Sequence, residues 1–302
     1  MLPLSEENPP NPSDALDSSG ALHRSPALYV VATPLGNRQD MTLRALAVLR
    51  AVDLVACEDK RHSQRLFDSH GLTPHTYALH EHNEQEGATR IIERLTQGQH
   101  VAFVSDAGTP AVSDPGARLV ARVQEAGFPV IPVPGPCAAI AALSASGLTA
   151  ARFQFVGFLP PKSAARRTSI EALRGLDAAL VFYEAPHRVL ECVEDLVAVL
   201  EPEREIVVCR ELTKMFEQIV RMPLGEALDW IKADSNRERG EFVLLVGPPL
   251  ASEGIPPDAQ RVLKLLLAEM PLKTAAKLTA EITGINKNAL YELALTLKDK
   301  EA

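Results

Sequence analysis

Val101–Gly116 reads VAFVSDAGTPAVSDPG, and its order of residue types decides the class of fold. Val101, Ala102, Phe103 and Val104 form a short apolar run of the length of a buried strand. The side chains then shrink abruptly through Asp106, Ala107, Gly108, Thr109 and Pro110. A second acidic turn, Ser113-Asp114-Pro115-Gly116, leads into Ala117–Ala126, where Leu119, Val120 and Val123 recur at helical spacing. A strand ending in a small, acidic, Gly/Pro-bearing loop can bring bare backbone against a ligand. Open α/β sheets place their sites at such carboxyl ends of strands. The same residues also suit an ordinary strand–turn–helix connection.

The unit repeats outward on both sides. Leu28–Ala32 reads as a strand running into Thr33-Pro34-Leu35-Gly36-Asn37, and Thr42–Arg50 follows with Leu43, Leu46 and Leu49 at helical spacing. Asp53–Cys57 is a second strand, ending in Glu58-Asp59-Lys60-Arg61 before a short helical segment. Ala88–Thr96 is helical, Pro129–Val133 a strand closing in Pro134-Gly135-Pro136, and Cys137–Ser146 a small-residue helix. Alternating βαβ units of this length imply a mostly parallel sheet. From about residue 150 the character changes. Phe153–Pro161, Ala179–Tyr183, Glu205–Leu212, Glu217–Met222 and Glu241–Val246 are strand candidates among helices at 164–174, 187–200 and 224–233. Glu205–Met222 has the pattern of a hairpin, so this half reads as an α/β domain with a mixed sheet.

The expected organisation is therefore a disordered leader over 1–26, an α/β domain over 27–150, a second over 151–248, a linker over 249–257 and a helical module over 258–302. The leader is rich in Pro, Ser and Asn, and Gly247–Pro257 is a linker by composition. In the module, Thr283-Gly284-Ile285-Asn286 reads as the turn of a helix–turn–helix. It carries seven Lys/Arg against six Asp/Glu, while residues 1–256 carry 24 against 33. The module suits either helical packing or nucleic-acid contact.

With 302 residues, 46% hydrophobic and 23% charged, the chain has the composition of a soluble globular protein. Its net charge of −8 argues against a surface that grips nucleic acid throughout, though not against a local basic patch. Cys57, Cys137, Cys192 and Cys209 are scattered, with no zinc-ligand spacing. Cys57 and Cys209 lie in apolar runs and read as buried, reduced thiols, which suits a cytoplasmic protein. The sequence shows neither a signal peptide nor a membrane span. His80 and His82, with Glu81 and Glu84, are the one group resembling metal ligands, and we read them as a polar loop, with no metal expected.

Several motifs converge in order and spacing: Thr33-Pro34-Leu35-Gly36-Asn37, Cys57-Glu58-Asp59-Lys60-Arg61, the stretch quoted first and Pro132–Pro136. To these add Gly157-Phe158-Leu159-Pro160-Pro161-Lys162, Tyr183-Glu184-Ala185-Pro186-His187-Arg188 and Arg210-Glu211-Leu212-Thr213-Lys214. Jointly they resemble the ribosomal RNA small subunit methyltransferase I family, within the tetrapyrrole-methylase superfold. The resemblance covers residues 27–250 and fits the helical tail. Lys60 departs from it, standing where the family most often has Thr.

The resemblance implies a two-domain α/β homodimer, with S-adenosyl-L-methionine folded in the cleft between the domains. It implies 2′-O-methylation of a cytidine ribose in 16S rRNA of the 30S subunit. It places Asp106, Ala107 and Gly108 at the methionine part, with Val112 and Ser113 close by. Pro136, Cys137 and Ala138 lie alongside, Pro34 closes the floor and Tyr183 comes from the second domain. The absence of GxGxxG agrees, because this cofactor has no pyrophosphate to cradle. Asp114 is expected to cap the following helix.

Methyl transfer to a ribose oxygen needs proximity and removal of a hydroxyl proton. Asp59, Glu58, Glu184, His187 and Lys162 are candidates for that role, and the residues do not choose among them. Glu58 and Asp59 also suit capping and pairing with Arg61 and Arg65. Lys162, Arg166, Arg167 and Arg174 form a basic run, which Arg61, Arg65 and Arg188 extend if they face the same cleft; such a cluster suits phosphate contact. Two other readings remain: methylation of a small molecule such as a tetrapyrrole precursor, and a non-catalytic RNA-binding assembly protein.

Overall fold

The structure is a computed structural model, and it describes residues 22–80, 83–250, 255 and 257–299. The chain divides into two compact units, the first ending at Pro248 and the second beginning at Pro249.

The first unit opens with β1 (Leu28–Val31), α1 (Leu43–Ala51), β2 (Leu54–Cys57), α2 (Lys60–Ser69) and β3 (Thr76–Ala78). It continues through α3 (Glu84–Thr96), β4 (Val101–Val104), α4 (Ala117–Glu125), β5 (Val130–Val133) and α5 (Ala138–Ser146). The five strands form one sheet in the order β3-β2-β4-β1-β5, every pair parallel. β2, β4 and most of β1 are buried on both faces, which is why they read as continuous apolar runs rather than alternating ones. Tyr29, Val55, Cys57, Phe67 and Leu49 pack on one face; Leu28, Phe103, Ile91, Leu95 and Leu119 pack on the other. β4, β1 and β5 are neighbours, so the loops that follow them emerge side by side at one edge of the sheet.

β6 (Phe153–Phe158), α6 (Ser163–Leu173), β7 (Ala179–Glu184), α7 (Val189–Val199) and β8 (Glu205–Arg210) follow. β9 (Gln218–Pro223), α8 (Ala227–Lys232) and β10 (Phe242–Val246) complete the unit. Their sheet has the order β6-β7-β10-β8-β9; β6 and β7 are parallel and the other pairs antiparallel. Leu180, Phe182, Val208 and Leu244 face a core completed by α7, while Val181, Val207, Cys209 and Leu245 face Ala139 and Ala142 of α5. The pairing of β6 with β7 slips by one residue between Phe155 and Gly157, and Gly157 takes a left-handed φ of 73°. This is a β-bulge.

The second unit holds α9 (Pro257–Glu269), α10 (Leu272–Thr283) and α11 (Lys287–Asp299), packed through Ala259, Leu263, Ala275, Ala276, Leu290 and Ala294. Gly284 closes α10 with φ 73°, in the expected turn.

Two expectations change. β3 went unread because it is a three-residue, half-buried edge strand. Packing begins before Ala27, since Leu22 lies against the first core and the His23 amide donates to the Tyr29 hydroxyl. The rest of the expected leader, and most of the expected linker, lie outside the described residues. Cys57 and Cys209 are free and buried as expected, and Cys192 is too.

Candidate active site

The loop after β4 is anchored at its start by backbone bonds to the loop after β1. The Thr33 amide donates to the Gly108 carbonyl at 2.8 Å, and the Gly108 amide to the Thr33 carbonyl at 3.0 Å. Thr109 Oγ1 donates to the Pro136 carbonyl at 2.9 Å, bringing in the loop after β5. Just after these anchors Ala111 and Ser113 hold left-handed φ values of 66° and 60°. Such non-glycine geometry costs about 1–3 kcal/mol per residue and persists where the surroundings over-determine it, as at ligand sites.

The loop forms one wall of a cavity of about 360 Å³. Seven of the residues assigned to the cofactor line it: Ala107, Gly108, Val112, Ser113, Cys137, Ala138 and Tyr183. Pro34, Asp106 and Pro136 stand one residue behind, next to lining residues Leu35, Ala107 and Cys137. The sequence reading missed Thr109, Phe158, Leu212 and Phe242. Phe158 was visible in a quoted motif, whereas nothing in the strand pattern of Phe242 separates cavity from core.

Tyr183 ties the two sheets together. Its phenol oxygen accepts the Ala139 amide of α5 at 3.0 Å. Burial, and then the neighbouring Cys137, push its pKa above the ordinary phenol range. Its ring stands steeply against those of Phe155, with centroids 5.0 Å apart, and Phe158, at 5.8 Å.

The acids cluster on the other side. The Asp59 amide donates to Asp106 Oδ1 at 3.2 Å. Burial raises the Glu58 carboxyl, and the charges of Asp106 and Asp114 add to this. Burial likewise raises Asp114, against a hydrogen bond from Ser105 and together with the charge of Asp106. Asp114 is not the helix cap it was expected to be. Gly116 occupies the cap position of α4, and Glu84 supplies the acceptor: its Oε1 takes the amides of Gly116, Arg118 and Leu119, each at 3.1 Å.

The proton-removal candidates separate. Asp59 caps α2, accepting the amides of Arg61 at 2.6 Å and His62 at 3.2 Å, and these bonds lower its pKa. Glu184 borders the cavity, but its side chain is wholly covered. Its Oε1 accepts the Ala185 amide at 2.9 Å and lies 3.3 Å from Arg188 Nε, so this oxygen is engaged just before α7, while Oε2 is buried without a hydrogen-bond partner. Lys162 and His187 are exposed, and Lys162 makes no ion pair among the described residues.

The basic run also needs correction. Arg166 is 1% exposed and donates from Nε to Asp195 Oδ2 at 2.6 Å, so it is closed to phosphate. It and Arg188 instead hold the 159–161 loop: Arg166 reaches the Pro161 carbonyl at 3.3 Å and Arg188 the Leu159 carbonyl at 2.6 Å. A lone guanidinium inside the core is costly, and Asp195, 29 residues along the chain, makes its burial possible. Arg61 is exposed, and Arg167 is 52% exposed, bonded to Asp195 through Nε alone. Among the described residues no group of His, Cys, Asp and Glu is placed to hold a metal; Glu81 and His82 lie outside them.

Residues 27–228 match the Tetrapyrrole (Corrin/Porphyrin) Methylases family, and residues 253–298 match the RsmI C-terminal HTH domain. The Ribosomal RNA small subunit methyltransferase I of Escherichia coli O157:H7 is 53% identical over 269 residues, 89% of this chain and 94% of its own length. That of Pseudomonas aeruginosa is 54% identical over 276 residues, 90% and 98%. The chain belongs to the ribosomal RNA small subunit methyltransferase I family. More distant proteins share the fold. The methyltransferase CobJ superposes with a TM-score of 0.58 at 23% identity, covering 77% of this chain and 98% of its own. Diphthine synthase gives 0.58 at 17% identity, covering 73% and 90%.

Proposed function

We propose that this protein transfers the methyl group of S-adenosyl-L-methionine to the ribose 2′-oxygen of a cytidine in 16S rRNA. The observation that carries the reading is identity of about one half to relatives named as small subunit rRNA methyltransferases, along nearly their whole length. A distant relation of the same fold, uroporphyrin-III C-methyltransferase from Thermus thermophilus, is described as complexed with S-adenosyl homocysteine.

The cavity suits such a ligand. A Cβ on Gly108 would meet Leu35 at 3.3 Å, so glycine keeps the backbone open where the wall is tightest. Asp114, raised chiefly by burial and further by the charge of Asp106, favours a cationic guest, which stabilises its charged form. When bound, S-adenosyl-L-methionine supplies an activated methyl group on a sulfonium leaving group. The chain's own task is then to orient and deprotonate. Ala107 and Gly108 offer backbone to the methionine part, and Tyr183 holds the N-terminus of α5 against the cavity. Lys162, exposed at the cap of α6, is the group we assign to the ribose hydroxyl or its developing charge. Arg61 and Arg167 are assigned to flanking phosphates.

The same reading takes the chain as a cytoplasmic homodimer of two α/β domains meeting near residue 150. Ile140 and Phe153, each about half exposed (52% and 51%), border an apolar hollow with Leu143 and Leu148 that suits a second copy. No helix among the described residues is long and apolar enough to cross a membrane.

The test is transfer of labelled methyl groups to 30S subunits from a strain lacking the modification. Label in a cytidine ribose is expected. Binding of S-adenosylhomocysteine with no label in the RNA refutes the RNA substrate and returns the small-molecule reading. No cofactor binding at all refutes the enzyme.

A further inference from the structure

We propose that Phe158 is the platform on which the target nucleobase of the RNA stacks, a role that rests on the rRNA-methyltransferase reading above. The argument begins with the bulge in β6. Phe155 pairs with Val181 and packs with it on the α5 side of the sheet, while Val156 packs on the α7 side. Strict alternation would then return Gly157 to the α5 side and send Phe158 into the α7 core. The slip instead sets Gly157 opposite Phe182 and Phe158 opposite Tyr183. Phe158 is thereby re-aimed into the cavity, and Leu159, 2% exposed, takes the core position behind it. Bulges beside active sites serve this purpose.

The bulge is built in from both sides. Gly157 has φ 73°, where a side chain is strained, and a Cβ there would lie 2.9 Å from Ser113 Oγ in the strained loop after β4. The product of this construction is a phenylalanine left 53% exposed. Phe153, Phe158 and Phe216 are the exposed phenylalanines among the described residues, and of these Phe158 alone lines the cavity. Its ring is steadied by the edge contact with Tyr183.

A fixed, half-exposed aromatic face at the rim of a site fits a flat guest arriving from solvent. Base–aromatic stacking is the common means of holding an unstacked nucleotide. Charge selects the RNA base over the cofactor's adenine. Exposed Lys162, four residues further along, ends the same Gly157–Lys162 segment. A cation on that segment suits a nucleotide within a phosphodiester chain, whereas the cofactor carries no phosphate.

The experiment compares wild type with Phe158→Ala, Phe158→Leu and Phe158→Tyr. Each is assayed for kcat/KM on unmodified 30S subunits and, by calorimetry, for Kd of S-adenosylhomocysteine. Phe158→Ala should lower kcat/KM by about 5- to 150-fold, the range that one base–aromatic stack is worth. Phe158→Leu, which keeps apolar bulk without a π face, should also fall. Phe158→Tyr should recover most of the rate, and Kd should hold in all three. The proposal is overturned if Leu serves as well as Tyr, if no variant loses rate, or if Kd for S-adenosylhomocysteine rises in step with the loss. A wild type that binds S-adenosylhomocysteine but labels no RNA refutes the function itself, an outcome separate from any difference among the variants.

Discussion

Replacing Asp195 with Ala isolates the cost of an orphaned buried charge. Asp195, 3% exposed in its side chain, accepts from Arg166 Nε at 2.6 Å, Arg167 Nε at 2.6 Å and Ser163 Oγ at 2.8 Å. Arg167 is half exposed, and its half of the pair is worth at most about 1 kcal/mol. Arg166 decides the outcome. Without Asp195 its guanidinium keeps only contacts of 3.3–3.5 Å, to Pro160, Pro161 and Glu191. Breaking a buried ion pair costs about 3–5 kcal/mol. Glu191 is 69% exposed and free to swing closer, which sets the expectation near 3 kcal/mol, or a fall of about 6–12 °C in Tm. Thermal unfolding followed by circular dichroism measures it. The double variant Arg166→Met/Asp195→Leu should recover most of the loss, because it removes the charge along with its partner. A single-variant loss below about 1 kcal/mol, or a double variant no better than the single, refutes the reasoning. There is also a pH signature. Burial works against the Asp195 carboxylate, but the bonds from Arg167, Ser163 and Arg166 outweigh it and depress its pKa. A carboxyl depressed in the folded state stabilises above its unfolded value and ceases to as pH falls through the folded one. The gap between wild type and Asp195→Ala should therefore narrow below about pH 4.

Glu58 has the opposite sign: its raised pKa means the charged form costs stability above that value. Glu58→Gln should raise Tm at pH 8 and lose that advantage near pH 4, as differential scanning fluorimetry across pH will show. Tyr183→Phe leaves the Ala139 amide without its acceptor, at about 1–3 kcal/mol. Because that amide opens α5 at the cavity wall, Kd for S-adenosylhomocysteine should rise as well, and calorimetry that finds it unchanged removes Tyr183 from the site. Arg167→Ala should lower the salt slope of RNA binding by about one, leave Kd for S-adenosylhomocysteine alone and cost little stability. Filter binding between low and moderate salt decides it.

The contrast between Arg166 and Arg167 also shows where sequence reading stops. Both arginines were visible, but their partner lies on α7, and no local pattern reports that Asp195 faces α6. Strands β1, β2 and β4 were legible because sheets covered on both faces demand unbroken apolar runs, and the loops after them because small residues must follow. The cavity lining was legible largely through the family's motifs. Cap exchange at α4 was hidden, since the acceptor comes from Glu84, 32 residues before Gly116. The bulge was hidden as well: Phe-Gln-Phe-Val-Gly-Phe breaks its alternation after Phe155, but only the pairing with β7 shows that an extra residue is the cause.

That extra residue gives β6 two independent halves. In a regular strand, losing one residue turns over every side chain beyond the gap and ruins the core. Here the strand before Val156 keeps its register with Ala179–Val181 whatever follows. A single-codon deletion of the extra residue would straighten the strand and still leave Gly157 opposite Phe182 and Phe158 opposite Tyr183. A lineage built on this scaffold can thus lose or regain one residue here in one genetic step without turning over the surface beyond it.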